Sequence, residues 1–171
     1  MKTKPLSLII ALAFCSFSAV ASANQCDSPY NQTAPKYSYQ LKKTFEVDGR
    51  QGITTDGNFY YVSGSATLSK YDLQGNLLVS NKTPFEGYKI PANHIGDIDV
   101  YNNEIYVSSE WFMDGVGKDI QIAVHDADTL NLKRTFPFNP DSGQQEVSAI
   151  TVDKDNNSIW MASWVGEESG R

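Results

Sequence analysis

From Tyr39 onward the sequence repeats itself, and nothing else in the chain limits its fold as tightly. Leu41-Lys42-Lys43-Thr44-Phe45 recurs as Leu132-Lys133-Arg134-Thr135-Phe136, 91 positions later. Inside that interval, Ile53 with Tyr61-Val62-Ser63 recurs as Ile98 with Tyr106-Val107-Ser108, 45 positions apart. Two of the shorter spacings nearly fill the longer one, so the two markers agree. A third copy opens at Ala149-Ile150-Thr151-Val152 and continues as Ile159-Trp160-Met161-Ala162-Ser163, with a longer turn. A period of about 40–50 residues carrying several short strands is the signature of a propeller blade or a related array.

The grammar inside each unit supports that reading. Gly52–Thr55 and Phe59–Ser63 predict two strands around the turn Asp56-Gly57-Asn58, where glycine accepts positive φ without penalty. Thr67–Leu73 and Leu77–Ser80 predict a second pair around Gln74-Gly75-Asn76. The next unit copies the plan at 97–101, 104–109, 119–125 and 132–136. Four antiparallel strands in meander order make one blade. The fold class expected is therefore all-β, a partial β-propeller of four-stranded blades. No window outside the N-terminal leader sustains a helical period.

The run Ile53…Asp56-Gly57-Asn58-Phe59-Tyr60-Tyr61-Val62, followed by Leu68-Ser69-Lys70-Tyr71-Asp72-Leu73-Gln74-Gly75-Asn76, resembles bacterial propellers of the broad NHL, gluconolactonase and glutaminyl-cyclase-like kind. The likeness spans roughly Tyr39 to the end and implies an architecture that hosts many unrelated activities. Gln51-Gly52-Ile53 is similar to a glutaminyl-cyclase step, but His94-Ile95-Gly96-Asp97 departs from that pattern, so the activity is not carried over. Tyr39–Val47 reads as one outer strand, two blades follow, and Ser148–Trp164 supplies half of another. A closed ring needs at least four blades. The chain is thus expected to be a fragment truncated at its C-terminus, with residues 39–171 as the repeat domain.

Residues 1–23 have the make-up of a cleaved secretory leader. Lys2 and Lys4 precede an apolar stretch over Leu6–Val20, and Ala21-Ser22-Ala23 offers the small-x-small cleavage pattern. The stretch is shorter than the ~20 apolar residues a membrane span needs. Phe14 stands where a lipoprotein signal has a small residue before its cysteine, here Cys15. The expected location is periplasmic or secreted, with no membrane span after cleavage. Residues 24–38 are polar and aperiodic and read as a linker or arm. Cleavage removes two lysines and no acid, taking the formal charge from −6 to −8 for residues 24–171. Such a surface disfavours nucleic acid as a partner. Cys26 remains as the one cysteine, free or paired beyond the chain.

No sequence motif names a chemistry. Repeat alignment puts Gly49, His94 and Glu146 four residues before the marker isoleucines, with Asp97 one residue before Ile98. In a propeller these positions share the mouth of the channel. His94, Asp97 and Glu146 are therefore the candidate metal ligands, and calcium is the kind of divalent cation those residue types suit. The plainer role for them is to line the interior and tie strands together. Residues 110–118, with Trp111 and Phe112, read as an inserted loop over that mouth, and the equivalent loop of the next unit starts near Trp164. Aromatic residues on such loops grip partners; as filler between blades they would do no more than pack. Asp153-Lys154-Asp155-Asn156-Asn157 lacks the glycine and the glutamate of a calcium loop and reads as a polar turn. The leading expectation is a binding or scaffold module for a protein, peptide or glycan, with no cofactor evident. The alternative is a metal-dependent hydrolase or lactonase.

Overall fold

Alternating apolar and polar residues, cut by turns rich in Asp, Asn and Gly, give ten antiparallel strands among the described residues. The computed structural model describes residues 39–164, apart from the side chain of Trp164; the leader, the arm at 24–38 and Cys26 lie outside the described residues. The chain divides into two units, Met1–Leu41 and Lys42–Arg171. Residues 39–41 of the first unit have no regular structure and are exposed.

In the second unit, β1 (Gly52–Thr55), β2 (Phe59–Gly64), β3 (Thr67–Asp72) and β4 (Leu77–Asn81) form one sheet in chain order. A second sheet repeats the plan with β5 (His94–Tyr101), β6 (Glu104–Met113), β7 (Val116–Asp126) and β8 (Leu132–Pro137). β9 (Glu146–Asp153) and β10 (Ser158–Trp164) form a two-stranded sheet. The turns are held by their own side chains. Asp56 accepts from the Asn58 and Phe59 amides, Asp72 from those of Gln74 and Asn76, and Asp153 from those of Asp155 and Asn156. Asn102 and Asn103, both at positive φ, close the β5–β6 hairpin.

The core lies between the first two sheets. Tyr61 and Leu68 of the first meet Ile95, Ile98, Ile105 and Val107 of the second, all at most 2% exposed. Burying side chains of this size stabilises by about 1.5–3 kcal/mol each. Polar straps tie the sheets where strands cannot pair. Asp99 on β5 accepts from Thr54 Oγ1 on β1 at 2.9 Å and from the Val152 amide on β9 at 2.8 Å. Lys70, 5% exposed, lies 4.1 Å from the Phe59 ring centroid and pairs at 2.9 Å with Asp128 in the turn between β7 and β8.

The all-β expectation and the four-strand meanders stand, but the partial propeller does not. The sheets have four, four and two strands, and none closes into a barrel or propeller. Closure would require a last sheet to meet the first. Instead the first sheet is open at Ile53, 63% exposed, and the last at Trp160, 66% exposed.

Two local expectations also change. Residues 39–47 form no strand. From Lys42 on, this segment lies over the first sheet's face rather than along an edge. The Phe45 ring packs on Tyr60 at 5.7 Å, the Asp48 amide donates to Tyr71 Oη at 2.8 Å, and Lys43 Nζ donates to the Gln74 carbonyl. Residues 110–118 are no loop: β6 and β7 run on through them to a two-residue turn at Asp114 and Gly115, with φ of 54° and 82°. Two successive positive φ values suit the twist of a hairpin, which lets the strands continue to their ends.

Candidate functional site

Meander order fixes which residues share an end. β1, β5 and β9 all begin at the end where β2–β3 and β6–β7 turn, so Gln51, Ser65, His94, Glu110 and Val147 gather there from three sheets. At their centre His94 Nδ1 lies 3.0 Å from Glu110 Oε1. The carboxylate can only accept, so Nδ1 donates to it. Nε2 lies 3.1 Å from Gln51 Nε2, and the same amide nitrogen donates to Ser65 Oγ at 2.9 Å. Glu110 Oε2 accepts from the Val147 amide at 3.1 Å. One chain of hydrogen bonds therefore joins the first sheet, the second and β9.

Glu110 is fully buried. Burial raises its pKa above the ordinary carboxylate value, against the lowering effect of the His94 and Val147 bonds, and the like charge of Glu146 adds to the rise. Space for the carboxylate comes from Gly117, where a Cβ would overlap Glu110 Oε2 and lie 2.7 Å from the Gln145 carbonyl. The Phe112 ring covers the imidazole at 5.2 Å. Phe112 is pinned in turn by Asn93, whose side chain accepts from the Phe112 amide at 2.7 Å and donates to its carbonyl at 2.9 Å.

The three candidate metal ligands are placed apart in role. His94 is engaged with Glu110 and Gln51. Asp97 is a strap: its Oδ2 accepts from the Ile150 amide on β9 at 3.2 Å, and burial raises its pKa. Glu146 opens β9, half-buried, opposite Trp164 in register. Among the described residues no three His, Cys, Asp or Glu side chains are grouped to hold a metal ion. Asp97 thus does the plainer work of tying strands together.

Trp111 and Phe112 sit on β6, opposite Lys118 and Gly117, and both are half-buried. Phe112 packs inward on His94 of the rim. The outward, apolar end of the hairpin is instead Met113, 54% exposed, and Val116, 43% exposed. With Trp111, Asp114 and Lys118 these two line a cleft of about 280 Å³. On the other side of Lys118, Ile90, Ile120, Pro137 and Phe138 help to line a cleft of about 430 Å³. Trp164 ends β10, and its side chain falls outside the described residues.

Glu110 is the residue that sequence reading missed. The signal was there: two positions past the shared Tyr-Val-Ser comes Ser65 in one unit and Glu110 in the other, an exposed hydroxyl against a buried acid.

No family model matches this chain, and no curated protein does. Among solved structures it is similar to the crystal structure of a computationally designed protein, at 14% identity and a TM-score of 0.35, covering 74% of this chain and 99% of that one. A score that low carries no argument, and the resemblance to NHL and gluconolactonase-like proteins has no matched family behind it. None of the described helical segments is long and apolar enough to cross a membrane.

Proposed function

We propose that this is an exported binding module that engages a protein or peptide through the tip of the β6–β7 hairpin. The observation that carries the reading is the length of that hairpin. Four residues separate the equivalent positions Ser63 and Leu68 in the first sheet, whereas thirteen separate Ser108 and Ile122 in the second. The added length ends in two exposed apolar side chains on a tight turn, above a rim held rigid by Asn93, His94 and Glu110. A rigid base and an exposed apolar tip suit capture, because little conformational entropy is lost on contact. The leader at 1–23 supports export. The metal-dependent hydrolase gains no support from the geometry, since His94, Asp97 and Glu146 are each engaged elsewhere or apart.

The test replaces the tip, not its base. Met113→Glu with Val116→Glu leaves His94, Glu110 and Phe112 in place and is expected to fold with an unchanged circular dichroism spectrum. Partners captured by the wild-type chain from extracellular or periplasmic material are purified and titrated against both forms. Binding weakened by tenfold or more in the double variant supports the tip as an anchor. Equal affinity for the two forms would sink the proposal. N-terminal sequencing of the exported chain is expected to start at Asn24.

A further inference from the structure

A turn of the first sheet brings a hydroxyl to the rim. Ser65 and Ala66 alone join β2 to β3. The Ser65 carbonyl accepts from the Ile95 amide at 2.8 Å, which pins this turn against β5 beside His94. Ser65 is exposed and opens on a cleft of about 390 Å³ that Asp48, Arg50 and Gln51 also line. Asp48 is paired with Lys82 at 3.2 Å, whereas Arg50 makes no ion pair among the described residues. Arg50 is therefore the uncompensated charge of the cleft. Behind Gln51 stands His94, its ring held by the fully buried carboxylate of Glu110. The Gln51 carboxamide nitrogen reaches both sides, 2.9 Å from Ser65 Oγ and 3.1 Å from His94 Nε2. Those are the two contacts that the departing nitrogen of an amide makes when a serine attacks its carbonyl and a histidine hands on the proton.

We propose that Ser65, His94 and Glu110 form a hydrolytic site for a primary carboxamide, and that Gln51 holds the substrate's place in the resting protein. Gln51 is exposed on a flexible side chain, so an incoming carboxamide can displace it. A neutral imidazole that donates from Nδ1 has its basic nitrogen at Nε2, the atom that faces Gln51. With Gln51 withdrawn, rotation about the Ser65 Cα–Cβ bond turns the hydroxyl to Nε2. The serine oxygen then bonds to the substrate's carbonyl carbon while His94 takes the hydroxyl proton. The C–N bond breaks and ammonia leaves with that proton. A water molecule, activated by the same imidazole, cleaves the acyl-serine ester to a carboxylic acid and frees Ser65. Arg50, in the same cleft, offsets the charge that develops on the carbonyl oxygen. Glu110 touches no reacting atom; it positions His94 and stabilises the imidazolium formed on the way. This site is separate from the hairpin tip at Met113 and Val116 and does not rest on it.

A fluorophosphonate, which bonds to an activated serine oxygen with loss of fluoride, tests this on the full chain. Gln51→Ala is expected to be labelled at Ser65, located by mass mapping of the peptide, at least tenfold faster than the wild type. Adding Ser65→Ala or His94→Gln to Gln51→Ala should abolish the label. Gln51→Ala should also release ammonia from propionamide, and the form that carries Ser65→Ala as well should not. Gln51 and Ser65 are exposed, so their variants should fold. Circular dichroism checks each, and Ser65→Ala decides the matter if His94→Gln unfolds. Equal labelling of the wild type and Gln51→Ala overturns the inference, as does a label that survives Ser65→Ala or a folded His94→Gln. Labelling at Ser65 without ammonia release overturns the carboxamide as the substrate.

Discussion

The first and second sheets are two readings of one repeat, and position by position they differ in company more than in sequence. Ile53 and Ile98 are the same residue at the same register, yet one is 63% exposed and the other 2%. Ser65 and Glu110 stand at the same position of the repeat, and only the second is fully buried. The repeat thus specifies strands and their alternation, while the neighbouring sheet decides which face becomes core. The second sheet has neighbours on both faces and so carries both the deepest packing and the buried polar rim.

The comparison breaks most sharply at the isoleucines. Ile98→Ala removes core side chain against Tyr61 and Leu68 and is expected to cost about 2–5 kcal/mol, whereas Ile53→Ala should stay within about 0.5 kcal/mol. Urea unfolding of dilute protein measures both. Similar losses at the two positions would mean that Ile53 is covered in solution even at low concentration.

Next comes the pair Ser65 and Glu110. Glu110→Ala leaves the His94 Nδ1–H and the buried Val147 amide without an acceptor, for an expected loss of about 2–4 kcal/mol. Ser65→Ala removes one exposed bond and should cost about 0.5 kcal/mol or less. Glu110→Gln should fall between them: its oxygen still accepts from His94, but its NH₂ then faces the Val147 amide, donor against donor. If Glu110→Ala were as mild as Ser65→Ala, the chain of bonds across three sheets would contribute nothing to stability.

Backbone contact gives a third contrast. Gly96 aligns with Gln51, and a Cβ at Gly96 would overlap the Val147 carbonyl on β9. Gly96→Ala must therefore move β5 away from β9, at about 1–3 kcal/mol, while Gln51→Ala loses only exposed hydrogen bonds. Thermal unfolding of the two variants separates them; a silent Gly96→Ala would show that β9 is not held against β5.

These contrasts also mark how far sequence alone could reach. The strands were legible nearly residue by residue, since Gly52–Thr55, Phe59–Ser63 and the Asp- and Asn-rich turns around them are local signals. Strand order within each sheet followed from the short turns. The way the sheets meet depends on faces that local pattern cannot assign, so the expected ring was wrong although most strands of the two four-stranded sheets were anticipated. For the same reason Tyr39–Val47 was read as a strand, helped by the likeness of Leu41–Phe45 to Leu132–Phe136, although only the second run forms one. The site was less legible still. His94 was found from repeat alignment, but its partner Glu110 was hidden in a stretch read as loop, because hairpin length cannot be judged until the turn at Asp114-Gly115 is recognised.

The smallest expected effect is a pH dependence that only the second sheet should have. His125 stands where the first sheet has Tyr71, each next to a hydrogen-bonded turn. It is fully buried, with Nδ1 3.0 Å from the Leu130 carbonyl and Nε2 3.2 Å from Tyr88 Oη. Burial lowers its pKa below the ordinary 6.5, against a smaller raising effect of the Leu130 bond. A histidine with a depressed folded-state pKa takes up its proton in the unfolded chain first. Its share of stability is therefore complete above about pH 6.5 and is lost as the pH falls toward the folded value. Glu110 and Asp97, raised by burial, act in the opposite direction: acid stabilises the folded form through them. Glu104, lowered to about 2 by its bonds to Arg134 and Lys133, loses its share only between about pH 4.5 and 2, below the window that matters for His125. Melting temperatures at about pH 7 and pH 5.5 should thus fall further for the wild type than for His125→Gln, which cannot take up the proton. The groups facing His125 from the turn and from Tyr88 do not titrate in that window, so equal slopes for the two proteins would remove His125 as the source of any acid sensitivity.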